Sequence, residues 1–84
     1  MKIYKYDLMD GCVDAPIVQI LDIQMQDGIP VMWGLVSEGA RKRHIEVRYY
    51  FTGREVDPDT LREFEYFRTL QDGMGLVWHI FIKD

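Results

Sequence analysis

Gly75-Leu76-Val77-Trp78-His79-Ile80-Phe81-Ile82-Lys83 is the densest apolar run of the chain, and its reading decides the fold. Read as a strand, it points Leu76, Trp78, Ile80 and Ile82 one way and Val77, His79, Phe81 and Lys83 the other. Both sides are largely apolar, which marks an interior strand covered on two faces, at least in its middle. Asp72-Gly73-Met74-Gly75 stand just before it, and the two glycines accept positive φ without a Cβ penalty. The run is therefore expected to pair antiparallel with what precedes that turn, residues 66–71 lying against 76–81.

Further back, residues 17–26 end in a clear alternation, Leu21, Ile23 and Met25 against Asp22, Gln24 and Gln26. Asp27-Gly28 follows, then Pro30 and a second apolar run over 31–37. An Asp-Gly pair between two such runs predicts a type I′ hairpin, because both central residues need φ > 0. Pro30 cannot donate a ladder bond, so it belongs at the strand start or facing outward. Gly34 is placed to let another backbone or a large side chain approach. Residues 43–52 form a long strand with Ile45, Val47, Tyr49 and Phe51 inward and His44, Glu46, Arg48 and Tyr50 outward. Residues 2–8 form a first strand with Tyr4, Tyr6 and Leu8 on one side, and 10–16 read as a loop.

Residues 54–71 admit two readings. Asp57 is a candidate helix cap, Pro58 fits a first helical turn and Gly73 could end a helix. Leu61, Phe64, Phe67 and Leu70 recur every three residues. Yet Phe64, Tyr66, Arg68 and Leu70 also alternate, and residues 65–71 suit a strand. The fold expected is mainly β: about six antiparallel strands in a compact sheet or small barrel, with at most one short helix near 58–63. The alternative is an α+β fold with a helix over 58–70.

Eighty-four residues make a single domain, and one this small buries only roughly 60–65% of its extended surface. Several strands look apolar on both faces, so a homodimer or larger symmetric oligomer is expected, with Trp33, Tyr49 and Trp78 as anchors. A 48% hydrophobic content without repetitive tracts favours a packed globule. The net charge of −4 weighs against nucleic acid as a partner. Cys12 is the only cysteine, which excludes an internal disulfide and a multi-cysteine zinc site and suits a reducing cytoplasm. No apolar run nears the ~20 residues of a membrane helix, and no signal peptide opens the chain.

Taken together, Lys5-Tyr6-Asp7-Leu8, Gln24-Met25-Gln26-Asp27-Gly28-Ile29-Pro30, Trp33-Gly34-Leu35-Val36, Thr52-Gly53, Tyr66-Phe67-Arg68-Thr69-Leu70-Gln71 and Val77-Trp78-His79-Ile80-Phe81 form a pattern spanning nearly the whole chain. It resembles an uncharacterised family of small proteins, a domain of unknown function, encoded in bacteriophage and bacterial genomes. The chain departs from that pattern at Arg68, where the family has glycine, and at Arg54-Glu55-Val56, where it has Gly-His-Pro. Any role of that lost histidine does not carry over. The resemblance implies a phage or prophage origin, a bacterial cytoplasm and a strand over 66–71. It implies no activity.

His79 is the first candidate for chemistry, as a general base or ligand at the rim of the core. The expectation is plainer: a half-buried histidine bonded to a neighbouring hydroxyl such as Thr69 across the hairpin, since no acid, cysteine or second histidine stands at a ligand spacing. Arg41, Lys42, Arg43 and His44, with Arg48 and Tyr50 further along the strand, make a small basic patch for phosphate, RNA or an acidic partner. The alternative is a solvated strand start whose charge discourages edge pairing. Glu55, Asp57, Asp59, Glu63 and Glu65 form an acidic run suited to carboxylate hydrolysis or nucleic-acid mimicry, or to nothing beyond solvation; its spacing fits no calcium loop.

Three function classes follow. The first is a non-enzymatic phage or prophage accessory protein that binds a host protein or a component of a defence system. The second is a nucleotide-like small-ligand binder or sponge. The third is a small hydrolase using His79 or the acidic run. No metal or cofactor motif is readable, and no catalytic constellation, so an enzyme is not expected.

Overall fold

The computed structural model describes residues 1–84. Strands β1 (Lys2–Asp7), β2 (Cys12–Ala15), β3 (Ile17–Gln26), β4 (Ile29–Val36) and β5 (Arg43–Phe51) precede one helix, α1 (Pro58–Glu63), and strands β6 (Glu65–Gln71) and β7 (Val77–Lys83). They form a three-stranded sheet in the order β1-β4-β3 and a four-stranded sheet in the order β2-β5-β7-β6. Every pairing is antiparallel. Neither sheet closes into a barrel. The fold is mainly β, with one strand more than the turn signals indicated.

The final run takes the interior place its two apolar sides predict. β7 is paired on one edge with β5 and on the other with β6, and Tyr66 stands opposite Phe81. The Asp27-Gly28 hairpin forms as well. Asp27 and Gly28 have φ of 53° and 82°, and Gln26 lies opposite Ile29. Pro30 sits one residue into β4, and its carbonyl accepts from the Leu8 N–H at 3.1 Å.

One core lies between the sheets. Leu8, Ile17, Ile23 and Met32 meet Ile45, Ile80 and Trp78 there. The Ile17 side chain lies 3.5 Å from where a Cβ on Gly34 would stand, which is the close approach that glycine permits. Tyr49 and Phe51 each hold a ring 4.8 Å from Trp78, and the indole N–H donates to Asp72 at 3.2 Å. Trp78 is thus enclosed in the core, which leaves little of its ring for the interface its size suggested.

Four expectations are corrected. Residues 12–15 are a strand rather than a loop, with Val13 and Ala15 in the core and Asp14 outside. Four residues alternate too briefly to stand out, and their partner β5 lies thirty positions away. Leu21 does not share the core face with Ile23, because bulges at 17/19 and 20/22 shift the register and leave Val18 and Leu21 exposed. In β6 an irregularity between Tyr66 and Arg68 breaks the expected alternation, so Tyr66 is exposed while Leu70 is buried. The helix over 58–70 does not form. α1 stops at Glu63, and Phe64 is already extended with φ −106° and ψ 154°. Asp57 makes no side-chain cap bond, and its carboxylate accepts instead from the Tyr50 hydroxyl at 3.4 Å.

α1 also changes what covers the outer face of the four-stranded sheet. Thr60, fully buried, receives the Arg48 guanidinium at 2.6 Å and pairs with the Tyr50 hydroxyl at 2.8 Å. Arg48 also stacks 4.4 Å over the Phe64 ring. A short helix thereby shields a face that the sequence left for a second copy to cover.

Candidate functional site

The register of β5, β7 and β6 places Tyr50, His79 and Thr69 in one row across the outer face of the four-stranded sheet. His79 is half-buried, and both ring nitrogens are occupied. Nε2 pairs with Thr52 Oγ1 at 2.7 Å and Nδ1 with Thr69 Oγ1 at 3.0 Å. Thr69 Oγ1 in turn meets the Tyr66 hydroxyl at 2.6 Å. That last contact depends on the β6 irregularity. Residues 66 and 69 would stand on opposite faces of a regular strand, and the inserted residue brings them to the same one.

Tyr66–Thr69–His79–Thr52 is therefore one hydrogen-bonded chain. A neutral imidazole donates from one nitrogen and accepts at the other, so such a chain has a direction. Its terminal hydroxyl at one end is left free to donate outward and at the other to accept. Phe81 lies beside it, with Tyr50 and Tyr66 rings at 5.9 and 5.8 Å, both nearly perpendicular. Tyr50, Thr52, Arg54, Tyr66, His79 and Phe81 line a hollow of about 280 Å³, with Thr69 behind them. Three other hollows are larger, about 400, 490 and 350 Å³. One is lined chiefly by charges already paired with each other and another largely by the 71–77 loop, and none joins aromatic walls to a histidine.

The expected contact of His79 with Thr69 is present, and Thr52 supplies a second that sequence reasoning did not foresee. Thr52 belongs to the Thr-Gly pair that closes β5, so its nearness to β7 follows only from the pairing of Phe51 with Trp78.

The basic patch is divided. Arg43 turns to the core side, where it donates to the Ile17 carbonyl at 3.0 Å and pairs with Asp84. His44 meets Asp14 across the β2–β5 ladder at 2.7 Å, with Glu46 at 3.7 Å. The hydrogen bond to Asp14 and its charge push the His44 pKa up. Arg48 is held by Thr60 and by Asp59 at 3.3 Å, and the bond to Arg48 holds the Asp59 carboxyl below its usual range. Arg41 and Lys42 remain exposed on the loop before β5. The acidic run is scattered too: Asp57 faces Tyr50, Asp59 faces Arg48 and Glu63 pairs with Lys83. No three His, Cys, Asp or Glu side chains converge as a metal site would need, and no helix is long and apolar enough to cross a membrane.

Fold and site together define a small two-sheet antiparallel β domain with an aromatic, hydroxyl-rich hollow on one outer face. Within that class, the chain belongs to the family described as a domain of unknown function (DUF7352), whose model matches residues 1–84. No curated protein and no solved structure matches it.

Proposed function

We propose that the protein is a non-enzymatic binding module that takes a small ligand into the hollow above His79. The hydrogen-bonded chain Tyr66–Thr69–His79–Thr52 carries this reading. Thr52, Tyr66 and Thr69 are exposed, where hydrogen bonds compete with water and add little to stability. What such a chain supplies is a fixed donor and a fixed acceptor beside aromatic walls, the usual make-up of a small-molecule site.

Binding is favoured over catalysis on geometric grounds. Thr52 Oγ1 stands at nucleophile–base distance from His79 Nε2. The other nitrogen, however, faces a neutral hydroxyl, which cannot stabilise an imidazolium as a carboxylate does. Amide-resolved NMR against a small-molecule fragment collection tests the proposal. Shifts are expected to gather on Thr52, Tyr66, Thr69 and His79. Fragments that leave these amides unmoved, or an ester-hydrolysis activity lost in both Thr52→Ala and His79→Ala, would overturn it.

A protein partner is the second reading, favoured by the outer face of the three-stranded sheet. Ile3 is 60% exposed there, beside the half-buried Trp33 and Leu35, and α1 lies on the other sheet. A second copy of the chain is the occupant we propose for this face. A host protein, in the phage or bacterial setting that the resemblance implies, is the other candidate.

A further inference from the structure

We infer that the hollow above His79 accepts a planar aromatic ring carrying an anionic group, with the ring against Phe81 and the charge on Arg54. The inference rests on reading the hollow as a ligand site and goes on to say which chemistry enters it.

Size comes first. At about 280 Å³ the hollow is smaller than the ~300–1,000 Å³ of drug-sized pockets. It holds a ring-sized group, and any charged substituent stays at the mouth. The walls come second. Phe81 already meets two tyrosine rings edge to face, at interplanar angles of 84° and 71°. A third ring can join that set at the ~4.5–7 Å centroid spacing aromatic pairs prefer. An aliphatic group of equal volume would gain only the burial.

The charge comes third. Arg54 lines the hollow and is exposed, and it takes part in none of the six ion pairs of the molecule. Arg43, Arg48, Arg68 and Lys83 each have an acidic partner. Of the acidic residues next to Arg54 in the sequence, Glu55 does not line the hollow and Asp57 is turned to Tyr50. A free guanidinium fork matches the oxygens of a carboxylate or phosphate in two parallel hydrogen bonds. The outward-donating end of the Tyr66–Thr69–His79–Thr52 chain adds a second donor at the same site.

The test uses three probes on the whole chain: adenosine monophosphate, adenosine and inorganic phosphate, each followed by amide shifts and calorimetry. Adenosine monophosphate is expected to shift Thr52, Arg54 and His79 and to bind about tenfold tighter than adenosine, the step a charge-assisted pair supplies. Arg54→Gln, a surface change whose folding is checked by the amide spectrum, is expected to remove that tenfold and bring the two ligands to equal affinity. Equal binding of adenosine monophosphate and adenosine, or an Arg54→Gln variant that keeps the difference, would overturn the anionic inference while leaving the hollow as a ligand site. A nucleotide that leaves the hollow's amides unmoved also overturns it, and fragments binding there would then separate its failure from that of the ligand-site reading. Phosphate alone reproducing every nucleotide shift would refute the aromatic half.

Discussion

At the scale of single residues, several polar side chains are fixed by more than one partner. His79 is held between two threonine hydroxyls. Asp72 accepts from the Met74 and Leu76 N–H groups at 2.7 and 3.2 Å as well as from Trp78, and these bonds, the one from Met74 foremost, hold its carboxyl below the usual range. It fixes the loop between β6 and β7 from within. His44 offers the cleanest residue-level prediction. Its pKa is raised in the folded chain by the hydrogen bond to Asp14 and by the charge of that carboxylate. A raised histidine favours the folded state fully below the ordinary value near 6.5 and loses that contribution as pH rises through the shifted one. The His44 ring, followed by NMR, is expected to titrate above the ordinary histidine value, and Asp14→Asn is expected to bring it back toward that value. A midpoint that Asp14→Asn leaves in place would refute the pairing. The effect on stability is expected to be small, because both groups are exposed and screened by water and salt.

At the scale of elements, two kinds of device build the sheets. One is the turn. Asp27 and Gly28 both occupy the left-handed region, and a Cβ at Gly28 would meet no atom within 4 Å. Gly28→Val is therefore a test of backbone conformation alone, free of steric collision with neighbours. It is expected to lower stability by about 1 kcal/mol or more, since a β-branched residue resists positive φ. A denaturation midpoint equal to that of the parent would show that the hairpin does not depend on this conformation. The other device is the bulge. The two register shifts of β3 let Ile17, Ile20 and Ile23 serve the core at intervals of three. The one in β6 puts Tyr66 and Thr69 side by side. Period-two reading fails at each of these places, because an inserted residue reverses the parity of everything beyond it.

At the scale of the molecule, α1 and the loops are unevenly shared between the sheets. The four-stranded sheet has α1 packed on its outer side through Thr60 and Phe64. The three-stranded sheet has no such cover over Ile3, Trp33 and Leu35. Nothing in residues 1–84 packs over that face, so self-association through it is the outcome we expect. Sedimentation equilibrium at micromolar concentrations should show a dimer, and Ile3→Glu should dissociate it by setting two charges across the two-fold contact. A parent chain that remains a 10.0 kDa species throughout would exclude the dimer.

The class of fold, the Asp27-Gly28 hairpin, the interior place of β7, its pairing with 66–71 and the contact of Thr69 with His79 were all legible in the amino acids. Each rests on local chemistry: turn residues that accept positive φ, apolar periodicity, and a hairpin that brings near neighbours together. The partition into two sheets, the short strand β2, the bulges, the burial of Thr60 and the arrival of Thr52 at His79 were not legible. They follow from pairings between segments far apart in the chain, and from register shifts whose benefit appears only when two sheets close over a common core. The candidate site belongs to this second group. Its residues come from β5, β6, β7 and the segment after β5, and no local rule aligns them until the four-stranded sheet has formed.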